Sequence, residues 1–577
     1  SRQTCDRTAY FMVSSPLVLL LLTLGKQSLA LQAREQKGRT VSSSIWPCSG
    51  LECVRKYIAL ADDHYSWQDT GILLSGVDPS TSVSWTGHVL NMTSQKWLTS
   101  DEVEYPMQWH PMVVVIPDNL DTSQPGDGWA NLVLDFGLNS RTSLSRSGRP
   151  VELEGIVNRF RGPSDAALEM VPGKTPLHPK LAGPFEISED TIEKFKHELH
   201  EAASKAAYLA THTQSVSISL YCVFNAVQVF KDDAKRMPLV DNELVVYSWT
   251  SFIQHGGEEP ERIAELPAAK AAVRAMDTAT AFTAGLPSGK VSRFAVTGYS
   301  KMGRVAWALG AVDERVVALA PVSESPRDWS DFERPAVSLI DQSVHADDFL
   351  DTYKSNAQGV YERFEVLEKS APQLALRRQR ITDPGHWLDQ IKPPVLYIQD
   401  TNDAYFDNVL GLVDSWLPAL PGPAHVLIVN AHHDTALLKG ISAIAAFFQG
   451  KRLGEDLPSV SYELDSTNRK LRVTQEQGRT PSSVHLLSAS TCTSSPGPSF
   501  LESMGPSFVE STWRDSSALL QNESGQVWVA DIQATPSASR EIGAGCFEGS
   551  FAQFEYPGPK PGYDAYQIST PVVILPK

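Results

Sequence analysis

Short apolar runs separated by segments of helical period constrain this chain more than any other feature. The runs are "PMVVVIPD" (111–118), "ANLVLDFG" (130–137), "SVSISLYCVF" (215–224), "ELVVYSWTSF" (243–252), "VSRFAVTGYS" (291–300), "VVALAPV" (316–322), "PPVLYIQD" (393–400) and "AHVLIVN" (424–430). They are continuously apolar rather than alternating, as expected of parallel strands covered on both faces. Between them lie helical patterns. "IEKFKHELHEAASKAAYLA" puts Ile192, Phe195, Leu199 and Ala206 on one stripe, with Ser188-Glu189-Asp190 at its positive end. Residues 267–282, 303–312 and 435–448 read as further helices. Strands alternating with helices predict an α/β fold: a mostly parallel sheet with helices on both faces and right-handed crossovers.

Two segments interrupt this rhythm and read as insertions over the mouth of the sheet, where ligands bind. Residues 138–187 are rich in Arg, Gly, Pro and Ser, and 323–385 carry a long helical pattern between two core strands. From 453 the composition changes to strand-like pieces between Ser, Pro and Gly clusters, which predicts a separate, smaller β-rich domain over 453–577. The α/β domain then spans 31–452. A chain of 577 residues fits two domains.

The N-terminus reads as an address. "PLVLLLLTL" (16–24) is too short to span a bilayer, and Ser28 and Ala30 satisfy the small-x-small cleavage rule, with Ala33 as a fallback. Residues 1–30 are therefore expected to be a signal peptide, with Met12 its start and 1–11 an upstream extension, and the protein to be secreted. No other run is long enough to span a membrane. In an oxidising compartment the cysteines matter. Cys5 leaves with the leader and Cys222 sits in a buried apolar run, which leaves Cys48 with Cys53 and Cys492 with Cys546, a pairing that spacing alone does not fix. Asn91 and Asn522 begin glycosylation sequons. With 50 Lys plus Arg against 67 Asp plus Glu, the net charge of −17 argues against nucleic acid or an anionic membrane as the main partner.

"VTGYSKMGRVAWALG" runs a strand-like segment (Phe294, Ala295, Val296) into Gly298-Tyr299-Ser300 and leaves along a helix. That is the context of a nucleophile elbow, whose tight turn lifts a hydroxyl above the sheet. A serine needs a base, and in α/β-hydrolases acid and histidine follow in that order, each just past a later strand. Asp400 ends "VLYIQD" and Asn402 and Asp403 follow it, while His432, His433 and Asp434 follow "AHVLIVN". Each turn alone is unremarkable; together, in that order, they predict a Ser-His-Asp triad.

The segments "VYSWTSFI", "AKAAVRAMDTATAF", "VTGYSKMGRVAWALGAVDERVVALAPV", "TDPGHWLDQIKPPVLYIQDTNDAYF" and "NAHHDTAL" resemble the PhoPQ-activated pathogenicity-related family, over roughly residues 55–570. The resemblance implies an α/β-hydrolase fold with a C-terminal β-domain. Its G-x-S-K-x-G turn falls on Gly298, Ser300, Lys301 and Gly303, and its T-N-D turn selects Asp403. Its N-A-G-H turn places His433 as the base, with His432, standing where the family has glycine, as the alternative. The oxyanion donors are then expected to be the backbone N–H of Lys301 and that of Leu138, in the loop after "NLVLDF". Trp249, at the end of an expected strand, is a candidate pocket residue or, equally, a core tryptophan.

These readings predict a secreted serine hydrolase cutting an ester or amide of a small molecule or peptide by acyl transfer, with no metal or organic cofactor. The alternative is an exported, non-catalytic signalling or binding protein on the same scaffold, engaging a cell-surface receptor; the family includes a secreted proliferation repressor. "HELHE" (197–201) lacks the second histidine of a zinc helix, because Glu201 stands there. Arg141, Arg146, Arg149, Arg159 and Arg161 form a basic concentration that reads as a solvated loop.

Overall fold

A computed structural model of the chain describes residues 47–121, 128–136, 142–144, 150–152, 203–225, 228–236, 239, 241–326, 359–360, 363–403, 413–492, 511–532, 546–559 and 562–576. Among the described residues, eleven strands precede residue 453. They are β1 (Ser66–Val77), β2 (Ser84–Lys96), β3 (Met107–Pro117), β4 (Trp129–Leu134), β5 (Thr142–Leu144), β6 (Pro150–Glu152), β7 (Val216–Leu220), β8 (Arg293–Tyr299), β9 (Val316–Val322), β10 (Val395–Asn402) and β11 (Ala424–His432). The sheet runs β1-β2-β3-β7-β4-β8-β9-β10-β11. From β7 to β11 every neighbouring pair is parallel, while β1, β2 and β3 pair antiparallel at one side. This is the expected α/β-hydrolase-like architecture.

Helices cover both faces. Among them are α1 (Leu51–Ala59), α2 (residues 203–213), α3 (Asp241–Gln254), α4 (Glu265–Thr283), α5 (Lys301–Val312), α6 (Pro372–Thr382) and α7 (Ala436–Arg452). Adjacent residues of one strand enter opposite cores: Leu132, Leu134, Val296 and Ile428 pack on the side of α3, α4 and α5, whereas Val133, Ala295, Leu427 and Val429 pack on the side of α2 and α7. Both faces of a core strand are therefore dry, and its sequence has no polar alternation to show. In α4 an Ala-rich stretch with Pro267 confined to the first turn favours the helix, and its alanines let it approach the sheet closely.

The expected strand over 243–252 is instead the buried helix α3. Leu244, Val245, Val246, Tyr247, Trp249, Phe252 and Ile253 are all buried, so the helix has no polar stripe and its sequence reads like a buried strand. Trp249 accordingly sits in a helix, not at a strand end. The long helical stripe over 192–210 lies within the described residues only as α2, where Ala206 is buried.

The C-terminal strands are β12 (Ser459–Asp465), β13 (Lys470–Gln477), β14 (Ser483–Cys492), β15 (Arg514–Asp515), β16 (Leu520–Asn522), β17 (Val527–Asp531), β18 (Cys546–Tyr556), β19 (Tyr566–Ser569) and β20 (Val573–Pro576). The central sheet does not stop at β11. It continues β19-β18-β14-β15, with β20 on β18, to 14 strands, while β12-β13-β17-β16 make a separate antiparallel sheet. Residues 48–577 form one compact unit. The residues after 453 are β-rich, as expected, and the compositional break there marks a change from crossover helices to antiparallel pairing. An apolar sheet edge at β11 is more stable paired than bare.

Cys48 and Cys53 form a disulfide at the start of α1. Cys546 is disulfide-bonded, and the β14–β18 register sets Cys492 opposite it. Cys222 is free and buried. Asn91 lies within β2, between β1 and β3, and Asn522 is exposed at the end of β16. Among the described residues no helix is long and apolar enough to cross a membrane.

Candidate active site

The turn after β8 is built around one strained residue. Ser300 has φ 54° and ψ −135°, a left-handed conformation that a non-glycine residue adopts only when its surroundings impose it. The imposition comes from both sides: Ser300 N–H donates to Val322 O at 2.9 Å, and Gly303 N–H donates to Ser300 O at 2.6 Å. The flanking glycines make room. A Cβ on Gly298 would lie 2.5 Å from Met302 O, and one on Gly303 would lie 2.8 Å from Glu324 Cβ. This is why glycine stands three residues after the serine: that residue faces β9 and its exit. Gly298→Ala is expected to cost about 1–3 kcal/mol by overpacking against fixed backbone. Urea denaturation measures this, and a stability equal to wild type would contradict the close approach. Lys301 is the first residue of α5, so its N–H has no acceptor within the helix.

The acid and the base come from β10 and β11. Their parallel register slips between Asp400 and Asn402, so that Asn402 pairs with His432. The slip brings Asp403 beside His433, whose Nδ1 donates to Asp403 Oδ2 at 2.8 Å. In a Ser-His-Asp arrangement the other ring nitrogen is the one that exchanges the proton with the serine. His433 is buried, whereas His432 is exposed, and its carbonyl accepts a hydrogen bond from Thr435 Oγ1. The His433 ring lies 4.9 Å from the ring of Tyr299, the residue before Ser300. Asp403, His433 and the serine turn therefore meet at the same end of the parallel strands. The described hydrogen bonds of Ser300 are made by its backbone, and a bond from Oγ to the imidazole is not among them.

Buried charges surround the pair. Burial by itself would push the His433 imidazole down, but Asp403, with Asp400 and Glu324 behind it, outweighs burial and raises it above its ordinary 6.5. Glu324, just past β9, is pushed up to about 7 by burial, against the opposing pull of Arg304. Arg304 donates to Glu324 Oε1 at 2.8 Å and lies 3.6 Å from Glu265. Burial pushes the Lys301 amine down to about 7, with Glu324 opposing. Its Nζ donates to Asn242 Oδ1 at 3.2 Å and stands 4.4 Å from the Phe136 ring, which packs on Tyr299 at 5.3 Å.

Trp249 is not at the rim. It is fully buried, donates from Nε1 to both Glu265 carboxylate oxygens at 3.0 and 3.1 Å, and lies under the Arg378 guanidinium at 4.2 Å. Leu138, the five arginines of the basic segment and residues 197–201 lie outside the described residues. One oxygen each of Asp400 and Asp403 and one nitrogen of His433 lie within 4.8 Å of one another, a spacing that could also hold a cation. The imidazole instead bonds Asp403, and the Gln399 amide donates to both carboxylates at 3.3 and 3.4 Å, so these donors already serve a proton network.

Sequence reasoning missed Glu324 and Arg304. Glu324 carried a signal: Ser323-Glu324-Ser325 follows the β9 run at the edge where the other site residues emerge. Arg304, inside an apolar helix, carried none.

A family described as PhoPQ-activated pathogenicity-related protein matches residues 170–495, more than half of the chain. Autocrine proliferation repressor protein A of Dictyostelium discoideum is 23% identical over 386 residues, covering 65% of this chain and 60% of that protein. The chain thus spans less than two thirds of that relative's length. Among solved structures, the rice cell wall degrading esterase LipA from Xanthomonas oryzae is 12% identical with a TM-score of 0.35, covering 67% of this chain and 97% of that one. An acetyl xylan esterase from Paenibacillus sp. R4 is 14% identical with a TM-score of 0.33, covering 68% and 92%.

Proposed function

We propose that this chain, which belongs to the PhoPQ-activated pathogenicity-related protein family, is a serine hydrolase that cleaves an ester or amide by acyl transfer. The reading is carried by one observation: a strained serine at a strand-to-helix turn, with a buried His433–Asp403 pair against the neighbouring Tyr299. In this reading Ser300 Oγ attacks the carbonyl carbon and His433 takes its proton. Asp403 holds the imidazole in the tautomer with Nδ1 protonated and steadies the imidazolium. The tetrahedral oxyanion meets Lys301 N–H, with Leu138 N–H as the proposed second donor. Collapse expels the leaving group with the proton from His433, and water then repeats the sequence to release the acid. We further propose that the chain is exported, supported by the apolar run at 16–24 and the Cys48–Cys53 disulfide.

A fluorophosphonate probe tests the reading. Wild type should take up one equivalent of label, and Ser300→Ala none. Because His433 must be neutral to act as base and its pKa is raised, the labelling rate should climb with pH about a midpoint above 6.5. Folded wild type that takes up no label would favour a second reading, a non-catalytic signalling or binding protein. Two observations support that reading: Ser300 Oγ makes no bond to the imidazole among the described residues, and a relative bears the name of a proliferation repressor.

A further inference from the structure

Asp400 is a buried titratable group that the acyl-transfer steps leave unused. Its Oδ1 accepts from Ser323 Oγ, while its Oδ2 is buried and has no hydrogen-bond partner among the described residues. Gln399 Nε2 bridges the two acids, at 3.3 Å from Asp400 Oδ1 and 3.4 Å from Asp403 Oδ2. A carboxyl oxygen of Asp400 also lies within 4.8 Å of both Asp403 and a His433 ring nitrogen. Two carboxylates this close in a dry pocket do not both ionise. The proton goes to the one with weaker donors. Asp403 has the imidazole N–H; Asp400 has a hydroxyl and a shared amide. Burial and the Asp403 charge raise Asp400 well above the usual carboxylate range, in the same direction.

We propose that Asp400 is a positioning residue of the same relay, a reserve carboxyl next to the imidazole that takes over its orientation when Asp403 loses its charge. The proposal rests on Ser300, His433 and Asp403 acting as the acyl-transfer triad. Neutralising Asp403 leaves burial as the influence that keeps Asp400 protonated and removes the second, the Asp403 charge; the His433 imidazolium then draws Asp400 to ionise, and it becomes the nearest β10 carboxylate to His433. The other groups facing this cluster keep their places: Glu324 with Arg304 from the β9 exit and α5, Tyr299 from β8, and Tyr397, whose hydroxyl bonds Gln399.

The test uses the full chain as wild type, Asp403→Asn, Asp400→Asn and the double variant. It reads the fluorophosphonate labelling rate and the NMR titration of His433. Loss of a sole orienting acid costs about 10⁴-fold. With the reserve carboxyl, Asp403→Asn should cost about 10–100-fold, the double variant about 10⁴-fold, and Asp400→Asn less than Asp403→Asn. The His433 midpoint should stay above 6.5 in Asp403→Asn and fall in the double variant. If Asp403→Asn alone loses about 10⁴-fold and the double variant no more, the proposal is overturned. It is equally overturned if Asp400→Asn costs more than Asp403→Asn. Asp403→Ala, with and without Asp400→Asn, gives the same comparison should Asp403→Asn not fold. The titration does not need turnover. An unlabelled wild type whose His433 midpoint still falls only in the double variant supports the relay while removing the hydrolase reading.

Discussion

His433→Ala is expected to slow acylation of Ser300 by about 10⁵–10⁶-fold, while His432→Ala stays within about threefold of wild type. The two imidazoles are adjacent in sequence, and their difference is wholly one of environment. His433 begins a short turn after β11, is buried, and donates to Asp403 at 2.8 Å. His432 is exposed at the strand end. A general base must have its proton-accepting nitrogen aimed at the nucleophile and its other nitrogen held by an acid, and of the two histidines only His433 has such an acid among the described residues. Comparing fluorophosphonate rates of the two variants checks this. Equal losses, or a larger loss in His432→Ala, would mean that the β10–β11 pairing seen here does not describe the working site.

The second large effect is structural. Arg304→Met is expected to destabilise the protein by about 3–5 kcal/mol near pH 8, because it leaves a buried carboxylate without its cation. Arg304 holds its charge because Glu324, Glu265 and Asp383 together outweigh the burial that opposes it. Glu324 accepts from Arg304 and is still pushed up from 4.5 to about 7 by burial. The folded state thus prefers Glu324 protonated. Stability from this group is fully present below 4.5 and is lost as pH rises through about 7. Without Arg304 the loss steepens, so the deficit should shrink from pH 8 to pH 6 as Glu324 takes up a proton. Urea denaturation at the two pH values measures it. Arg304→Met with Glu324→Leu should recover part of the deficit, since the stranded charge is gone. A deficit independent of pH would show that Arg304 acts by packing on Trp249 and not by charge.

The most legible parts of the sequence were those where chemistry and local geometry coincide. Gly298, Ser300 and Gly303 specify a turn that few other residues could make, so the elbow was readable from the residues alone. The order of acid and histidine after successive strands was readable for the same reason. Helix α3 was not legible, because a helix buried on every side and a buried strand present the same apolar run. The merging of the C-terminal strands into the central sheet was equally hidden, since pairing across an edge leaves no local mark.

By itself the sequence determined the α/β alternation, the strained serine turn and the short list of acids and imidazoles, because each follows from the size and polarity of neighbouring residues. Only the tertiary structure decided which members of that list meet. A slip between β10 and β11 selects His433 with Asp403, leaves His432 in water and buries Asp400 beside them. Register, and the loss of water that goes with burial, are properties of strands brought together from distant parts of the chain. No single segment contains them.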